Sequence, residues 1–385
     1  MRRIGRIAVL ALGSVALALP AGLHADAAAP AESAAPIALL IDLDSGQTLH
    51  ARDIDRRFLP ASVTKVMTTY LAFEMLADGR LQPDTRYTVS DRLAQDWSGK
   101  GSSLFLKAGE KVSVDTLIHG ITTVSANDGA ILLAEGTAGS VNKWTALMNR
   151  TARDLGMRDS HFGTPNGWPD EGATYTTAHD LAILAGALIT RHPELYRRYF
   201  GKRSFGHDGI GQDNHDPITG IVPGADGIKT GFTREAGYNF LGSAQRGGRR
   251  LVMVVAGVDS EEIRAKVSRD YIEWGFSAFD PKVIFAKGAP LGSALVQDGR
   301  TGSVKLRAAR DIVVDMPKMV KPQVTLRMHY RGPLKAPIRA GEQVAALQVS
   351  IAGFSPYDVP LEAAEDVPQA NLLQRIRNAV LGWIA

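Results

Sequence analysis

The sequence predicts an α/β (α+β) chain followed by a small all-β domain, and three observations carry that prediction. Strand-like runs near residue 40 and again from "GIKTGFT" to "RRLVMVVAGVDS" enclose a mostly helical stretch, so one sheet must collect strands from distant parts of the chain. Residues 281 to about 360 break into short β-prone runs separated by Gly, Pro and Asp turns. The first 25 residues have the composition of a removable leader. With 385 residues, 45% of them hydrophobic and 22% charged, the chain has room for two ordinary globular domains.

The leader opens with Arg2, Arg3 and Arg6, continues through an apolar run from Ile7 to Leu19, and ends in helix breakers and small residues. That pattern is an export signal over 1–25, with cleavage after Ala25 or Ala27; it is too short for a stable membrane span. The full chain carries +4, and three of those charges are arginines of a leader without acids, so the remainder carries +1. No basic cluster points to nucleic acid. There is no cysteine, which excludes disulfide staples, a thiol nucleophile and thiolate metal sites. The nine histidines show no HExxH spacing and no GxSxG elbow occurs, so neither of those hydrolase routes is signalled.

Residues 26–35, rich in Ala and Pro, read as a flexible linker. "IALLIDLDSGQTLHARD" gives two extended runs joined at Asp44-Ser45-Gly46, and the Asp42 and Asp44 pair is turn chemistry, because no acid closes a calcium loop. "PASVTKVMTTYLAFEML", residues 60–76, reads as one buried helix. A mixed helical region follows to about residue 200, including "VDTLIHGITTV" and "AHDLAILAGALITR". After the late strands comes a long helix, "EEIRAKVSRDYIEWGFSAF", which closes a domain over 36–280. "GSVKLRA", "DIVVDM", "QVTLRMHYR" and "QVAALQVSI" make up the β-rich domain, 281–362. Within 363–385, Leu372, Leu373, Ile376, Val380, Trp383 and Ile384 share one helical face, the pattern of an amphipathic helix lying in a membrane surface.

The helix from residue 60 poses a physical problem. A Ser N-cap favours an acid three residues later, and a first helical turn carries partial positive charge, yet Lys65 follows Ser62 at that spacing. SxxK occurs again at Ser140–Lys143, where a Gly-rich break before a helix makes Ser140 an N-cap. Order separates the two. Only Ser62 and Lys65 are followed by an independent Ser-x-Asn, Ser125-Ala126-Asn127, and then by the one Lys-Thr-Gly in the chain, Lys229-Thr230-Gly231. SxxK, SxN and KTG in that order are the set shared by penicillin-binding proteins and serine β-lactamases.

Chemistry explains each residue type. Ser62 Oγ needs a base to become a nucleophile, and Lys65, one turn on, can reach it. An exposed lysine stays protonated at neutral pH, but an apolar setting, the positive helix end and a second cation at Lys229 all favour the free amine. Ser125 can relay a proton to the leaving amine, and Asn127 can hold Lys65 and the substrate amide. Lys229 and Thr230 suit a substrate carboxylate, and Gly231 suits a strand edge along which substrate lies. The N–H groups of Ser62 and Phe232 are candidates for an oxyanion hole.

Beyond these motifs, "GSSLFLKAGEKVSVDTLIHGITTVSANDGA", "LMNRTARDLGMRDSHFGTPNGWPDEGATYTTAHDLA" and "ADGIKTGFTREAGYNFLGSA" resemble segments of the D-alanyl-D-alanine carboxypeptidases, the low-molecular-mass penicillin-binding proteins. The resemblance covers nearly the whole chain. It implies a penicillin-binding/β-lactamase-like catalytic domain with a central antiparallel sheet, a small β domain and a C-terminal anchor helix. It implies removal of the terminal D-alanine from peptidoglycan stem pentapeptides through an acyl-enzyme, without metal, and covalent inhibition by β-lactam antibiotics. It places the protein at the periplasmic face of the cytoplasmic membrane. It also implies that Arg264, in "DSEEIRAK", helps bind the terminal carboxylate, while Phe232, where some relatives have His, leaves substrate preference open. The rivals are a serine β-lactamase, whose Glu-x-x-Leu-Asn motif is absent here; a DD-endopeptidase, usually without the second domain; and an inactive peptidoglycan-binding scaffold.

Overall fold

The computed structural model describes residues 29–30 and 34–371. They form two compact units. The larger holds residues 34–43 and Leu49–Ser277; the smaller runs from Ala278 to residue 371 and takes in the turn Asp44–Thr48. The expected export signal, and the anchor helix from residue 372 onward, lie outside the described residues.

The larger unit is built on a five-stranded antiparallel sheet. Its members are β1 (Ile37–Asp42), β2 (Thr48–Arg52), β7 (Ala225–Thr233), β8 (Gly237–Arg246) and β9 (Arg249–Val258), in the order β2-β1-β9-β8-β7. β9 lies between β1 and β8, and "LVMVVA" is buried residue after residue. A strand buried at successive positions is covered on both faces, which explains its unbroken apolar run. Leu40 on β1 pairs with Met253, and Asp42 at the strand end accepts a 2.6 Å bond from Arg249 Nε, so that acid serves an ion pair.

Between these strands the chain forms α1 (Lys65–Ala77), α2 (Asp91–Trp97), α3 (Val114–Thr123), α4 (Asn127–Ala138), α5 (Val141–Leu155), α6 (Ala178–Arg191) and α7 (Pro193–Tyr199). Two small hairpins interrupt them: β3 (Arg86–Thr88) with β4 (Lys111–Ser113), and β5 (Ser204–His207) with β6 (Ile210–Asp213). α8 (Glu261–Ser277) follows β9 and packs on it. α1 is buried nearly all round, with Met67 and Phe73 fully enclosed, so it is a core helix held by packing. Each such side chain contributes about 2 kcal/mol by leaving water.

Residues 60–76 do not form the single helix that their composition suggests. Ala61–Thr64 make a 3-10 turn, and the α-helix begins at Lys65 with no side-chain cap. The reason lies at Ala61, a buried non-glycine residue at φ +49°, which breaks helical geometry just before Ser62.

The smaller unit is all-β. β14 (Val324–His329), β16 (Gln343–Ile351), β17 (Tyr357–Ala363), β12 (Ser303–Ala308), β11 (Pro290–Gln297) and β15 (Leu334–Lys335) form one sheet in that order; β10 (Phe279–Phe285) pairs with β13 (Ile312–Pro317). β16 alternates buried and half-buried positions, as a sheet with one packed face requires. Its core joins Val304, Leu306, Val349 and Leu361. After β17 the chain stays on this unit through bridges at Val367 and Gln369, so residues 364–371 are not helical.

Candidate active site

The Ser62 turn sits where the first helix approaches the edge strand β7. Two close backbone approaches fix it. A Cβ on Gly231 would stand 2.4 Å from the Pro60 carbonyl oxygen, and one on Gly167 would stand 1.8 Å from that of Ala61. Only glycine fits either place. The expected reason for Gly231, room for substrate, is thus joined by a structural one: without a side chain, β7 closes onto the turn. On the preceding residue, the Leu59 carbonyl accepts from Asn239 Nδ2 of β8 at 2.9 Å. Ser62 itself is half-buried.

Lys65 is fully buried, and its Nζ has three oxygen neighbours: Ser62 Oγ at 2.8 Å, Asn127 Oδ1 at 2.8 Å and the Asn166 carbonyl oxygen at 2.7 Å. The Asn127 orientation is set by its other end, since Nδ2 donates to the Lys100 carbonyl at 2.9 Å and a carbonyl can only accept. Two of the three Lys65 partners are therefore acceptors only. A neutral amine has two hydrogens and one lone pair. As an ammonium Lys65 donates to all three oxygens; once it loses a proton, Asn127 and Asn166 can only keep its two hydrogens, so the lone pair is left for the Ser62 hydroxyl. Burial pushes the Lys65 ammonium well below its usual pKa, the nearby Lys229 charge pushes the same way, and Asp128 opposes them.

Asn127 opens α4, and Ser125 lies just before it, buried and held at φ +63°, a strained conformation for a residue with a side chain. The neighbouring Asp128, which motif reading passes over, is fully buried. It accepts from Ser103 Oγ (2.6 Å) and from the N–H groups of Leu104 (2.9 Å) and Leu106 (3.1 Å). These bonds fasten the loop after α2 to the start of α4. An acid in a first helical turn was the available signal.

Lys229 and Thr230 are both buried on β7, with Lys229 Nζ donating to the Thr230 carbonyl at 3.0 Å. Burial and the Arg264 charge lower Lys229 to about 7, against the pull of Asp216. Arg264, on α8, is 3% exposed, pairs with Glu261 at 2.8 Å and lies 5.6 Å from the Tyr238 ring centroid. Among the described residues, its buried Nε has no hydrogen-bond partner, and it is a donor of the kind a bound carboxylate would satisfy. Phe232 is exposed and stacks on Tyr238 at 4.2 Å.

Two further groups belong here. Asp216 is buried and held by the N–H groups of Ile218 and Thr219 and by Thr219 Oγ1; burial raises its carboxyl, and Lys229 works against that rise. His215, exposed at its surface, is lowered by partial loss of solvation and then by the Lys229 charge. Both come from "DNHDPITG", a stretch with no motif to mark it. The turn serine, its lysine and Asn127 are thus in direct contact, while Lys229 and Arg264 form a second, cationic group coupled to Lys65 through charge.

Known proteins match this arrangement. A sequence profile described as D-alanyl-D-alanine carboxypeptidase matches residues 24–260, and one described as the C-terminal domain of penicillin-binding protein 5 matches residues 279–369. The chain is 33% identical over 343 residues to the D-alanyl-D-alanine carboxypeptidase DacD of Escherichia coli K12, covering 88% of both chains. Among solved structures, penicillin-binding protein 5 from Haemophilus influenzae superposes with a TM-score of 0.75 and 30% identity, covering 87% of this chain and 98% of the other. Penicillin-binding protein D2 of Listeria monocytogenes, in its ampicillin-bound form, superposes with a TM-score of 0.57 and 30% identity over 63% of this chain and 97% of its own.

Proposed function

The chain belongs to the D-alanyl-D-alanine carboxypeptidase family, serine-type hydrolases, and from that premise we propose that Ser62 is its nucleophile and Lys65 its base. The observation that supports this reading best is the setting of buried Lys65 Nζ, 2.8 Å from Ser62 Oγ, whose two acceptor-only partners leave the lone pair of the deprotonated amine for Ser62. Lys65 Nζ takes the Ser62 proton as Oγ attacks the carbonyl carbon of the D-Ala–D-Ala bond. The developing oxyanion is met by the N–H groups of Ser62 and Phe232. The proton passes through Ser125 to the departing nitrogen, releasing D-alanine and leaving an ester on Ser62. Water then attacks the ester with Lys65 again as base, and the proton returns to Ser62 Oγ.

Asn127 holds the Lys65 amine and the substrate amide. Lys229, Thr230 and Arg264 receive the terminal carboxylate, and Gly231 keeps that strand edge open. Peptidoglycan stem pentapeptides supply this carboxylate, and β-lactams mimic the scissile bond and stay on Ser62. The Listeria protein solved with ampicillin bound supports the second point. Residues 1–25 direct export, and the amphipathic C-terminal stretch holds the protein on the outer surface of the cytoplasmic membrane. Among the described residues, no helix is long and apolar enough to cross a membrane.

Mass spectrometry of the penicillin-treated protein tests the assignment. The added mass is expected on the peptide carrying Ser62, together with D-alanine release from a pentapeptide by untreated enzyme. An adduct on another serine, or none, would overturn it. Deleting residues 372–385 is expected to move the protein from the membrane to the soluble fraction with peptide hydrolysis retained; persistent membrane association would remove the anchor from the proposal.

A further inference from the structure

Both oxygens that hold the Lys65 amine lead outward to the same small cluster. Asn127 Oδ1 is aimed because Asn127 Nδ2 is bound to the Lys100 carbonyl. The Asn166 carbonyl is presented by a tight turn in which the Trp168 N–H donates to Asn166 Oδ1 at 3.1 Å. Lys100 and Trp168 then meet. The exposed Lys100 ammonium lies 5.0 Å from the Trp168 ring centroid and 4.7 Å from that of Trp97, while the two indoles contact each other edge-on at 5.7 Å. The backbone between them is crowded: a Cβ on Gly101 would come within 3.0 Å of Asn127 Nδ2 and 3.3 Å of the Trp168 ring.

We propose that Lys100, gripped by Trp97 and Trp168, is a positioning residue that locks two loops together so that Asn127 and Asn166 direct the Lys65 lone pair at Ser62. A cation over aromatic faces suits this place better than an apolar clasp would. The rim is exposed, so the ammonium keeps its outer side in water while its inner side spans two rings. The main chain of the same residue supplies the carbonyl on Asn127. Side-chain grip and backbone bond therefore act on one residue, and loss of the grip lets the loop move while the apolar core stays packed. Such motion carries Asn127 with it and turns the amine away from the hydroxyl.

This inference rests on Lys65 serving as base to Ser62, and the test keeps the two separable. The full-length protein is compared with its Lys100→Met, Lys100→Arg and Trp168→Phe variants in D-alanine release from a short peptide ending in D-Ala-D-Ala. Lys100→Met keeps the aliphatic stem and loses the charge. Its kcat is expected to fall about ten-fold with KM changed by less than about two-fold, because the reacting groups are misplaced while the carboxylate site is intact. Lys100→Arg, whose guanidinium also stacks on indole, is expected to recover most of that loss. Trp168→Phe, with a weaker face, should fall between them, and thermal unfolding of Lys100→Met should match wild type. Wild-type kcat in Lys100→Met, a loss confined to KM, or an equal loss in Lys100→Arg would each overturn the inference. If the wild type itself formed no penicillin adduct at Ser62, the base assignment would fall, and this inference with it.

Discussion

The same four-letter pattern, Ser-x-x-Lys, occurs at Ser62–Lys65 and at Ser140–Lys143, and the two sites have almost nothing else in common. At the second, Ser140 is the N-cap of α5: its backbone is extended, its Oγ accepts from the Lys143 N–H at 3.2 Å, and the Lys143 side chain is exposed. At the first, the serine is displaced one turn outside α1 by the strained Ala61. No side chain caps the helix, and the lysine is turned inward onto the serine oxygen. Capping uses the backbone N–H of the lysine and leaves its side chain to solvent. The proposed chemistry uses the side chain, and needs the serine freed from the capping role. What separates the pair is the surroundings: Asn127, Asn166 and the glycine-lined approach of β7 exist only around Ser62.

Substitution at the two serines is the most severe way to test that contrast. Ser62→Ala is expected to abolish penicillin labelling and reduce D-alanine release to background, while the same change at Ser140 leaves both intact. Labelling that survives in Ser62→Ala, or vanishes in Ser140→Ala, would reverse the assignment. The lysines come next. Arginine keeps the charge of Lys65 but cannot offer a lone pair, so Lys65→Arg should slow acylation by about 10²-fold or more, the usual worth of a general base. Lys143→Arg should acylate at the wild-type rate. Stopped-flow measurement with a chromogenic cephalosporin reads both.

How much of this was legible before the structure depends on what each residue contributes. Side chains whose proposed part lies in their own chemistry, Ser62, Lys65, Asn127 and Lys229, are singled out by type and order alone. The sheet was legible too, because β9 carries an apolar run that only a covered central strand explains. Asn166 was not, since it acts on Lys65 through a backbone carbonyl, and every residue has one. Asp216 escaped because its link to Lys229 is a matter of field across the fold, with no spacing to betray it. The 3-10 turn was hidden for a related reason. Ala61 is an ordinary helix former, and its positive φ comes from the tertiary packing around it, including the chain at Gly167.

Burial also separates the lysines in their effect on stability. Lys229 falls from an ordinary 10.5 to about 7 in the folded protein. Between those values the unfolded chain binds a proton that the folded chain does not, so stability rises with pH across that window. Below about 7 both states are protonated and the full penalty of the buried charge applies. Lys65 is shifted the same way. Chemical denaturation at pH 7 and at pH 9 should therefore show wild type gaining up to about 1.4 kcal/mol per pH unit for each such lysine. Lys229→Met should lose its share of that slope and be the more stable protein at pH 7. Lys143→Met should keep the whole of it. Equal slopes in wild type and Lys229→Met would mean that Lys229 keeps its proton in the fold.

The smallest effect comes from the plainer member of the pair. With the Ser140 hydroxyl gone, one N–H at the start of α5 loses its partner to water, while Trp144 and Met148 still pack the helix into the core. The cost of losing such a cap is about 1 kcal/mol, which in a unit of this size lowers the melting temperature by about 3 °C. Ser140→Asp should restore it, because a carboxylate caps equally well and also meets the positive helix end. Ser140→Gly should lose less than Ser140→Ala. This ordering, Asp at or above Ser, then Gly, then Ala, belongs to capping alone. No acid or glycine at position 62 could act as the proposed nucleophile, so one alphabet of substitutions read at both serines separates the two roles by stability at one and by turnover at the other.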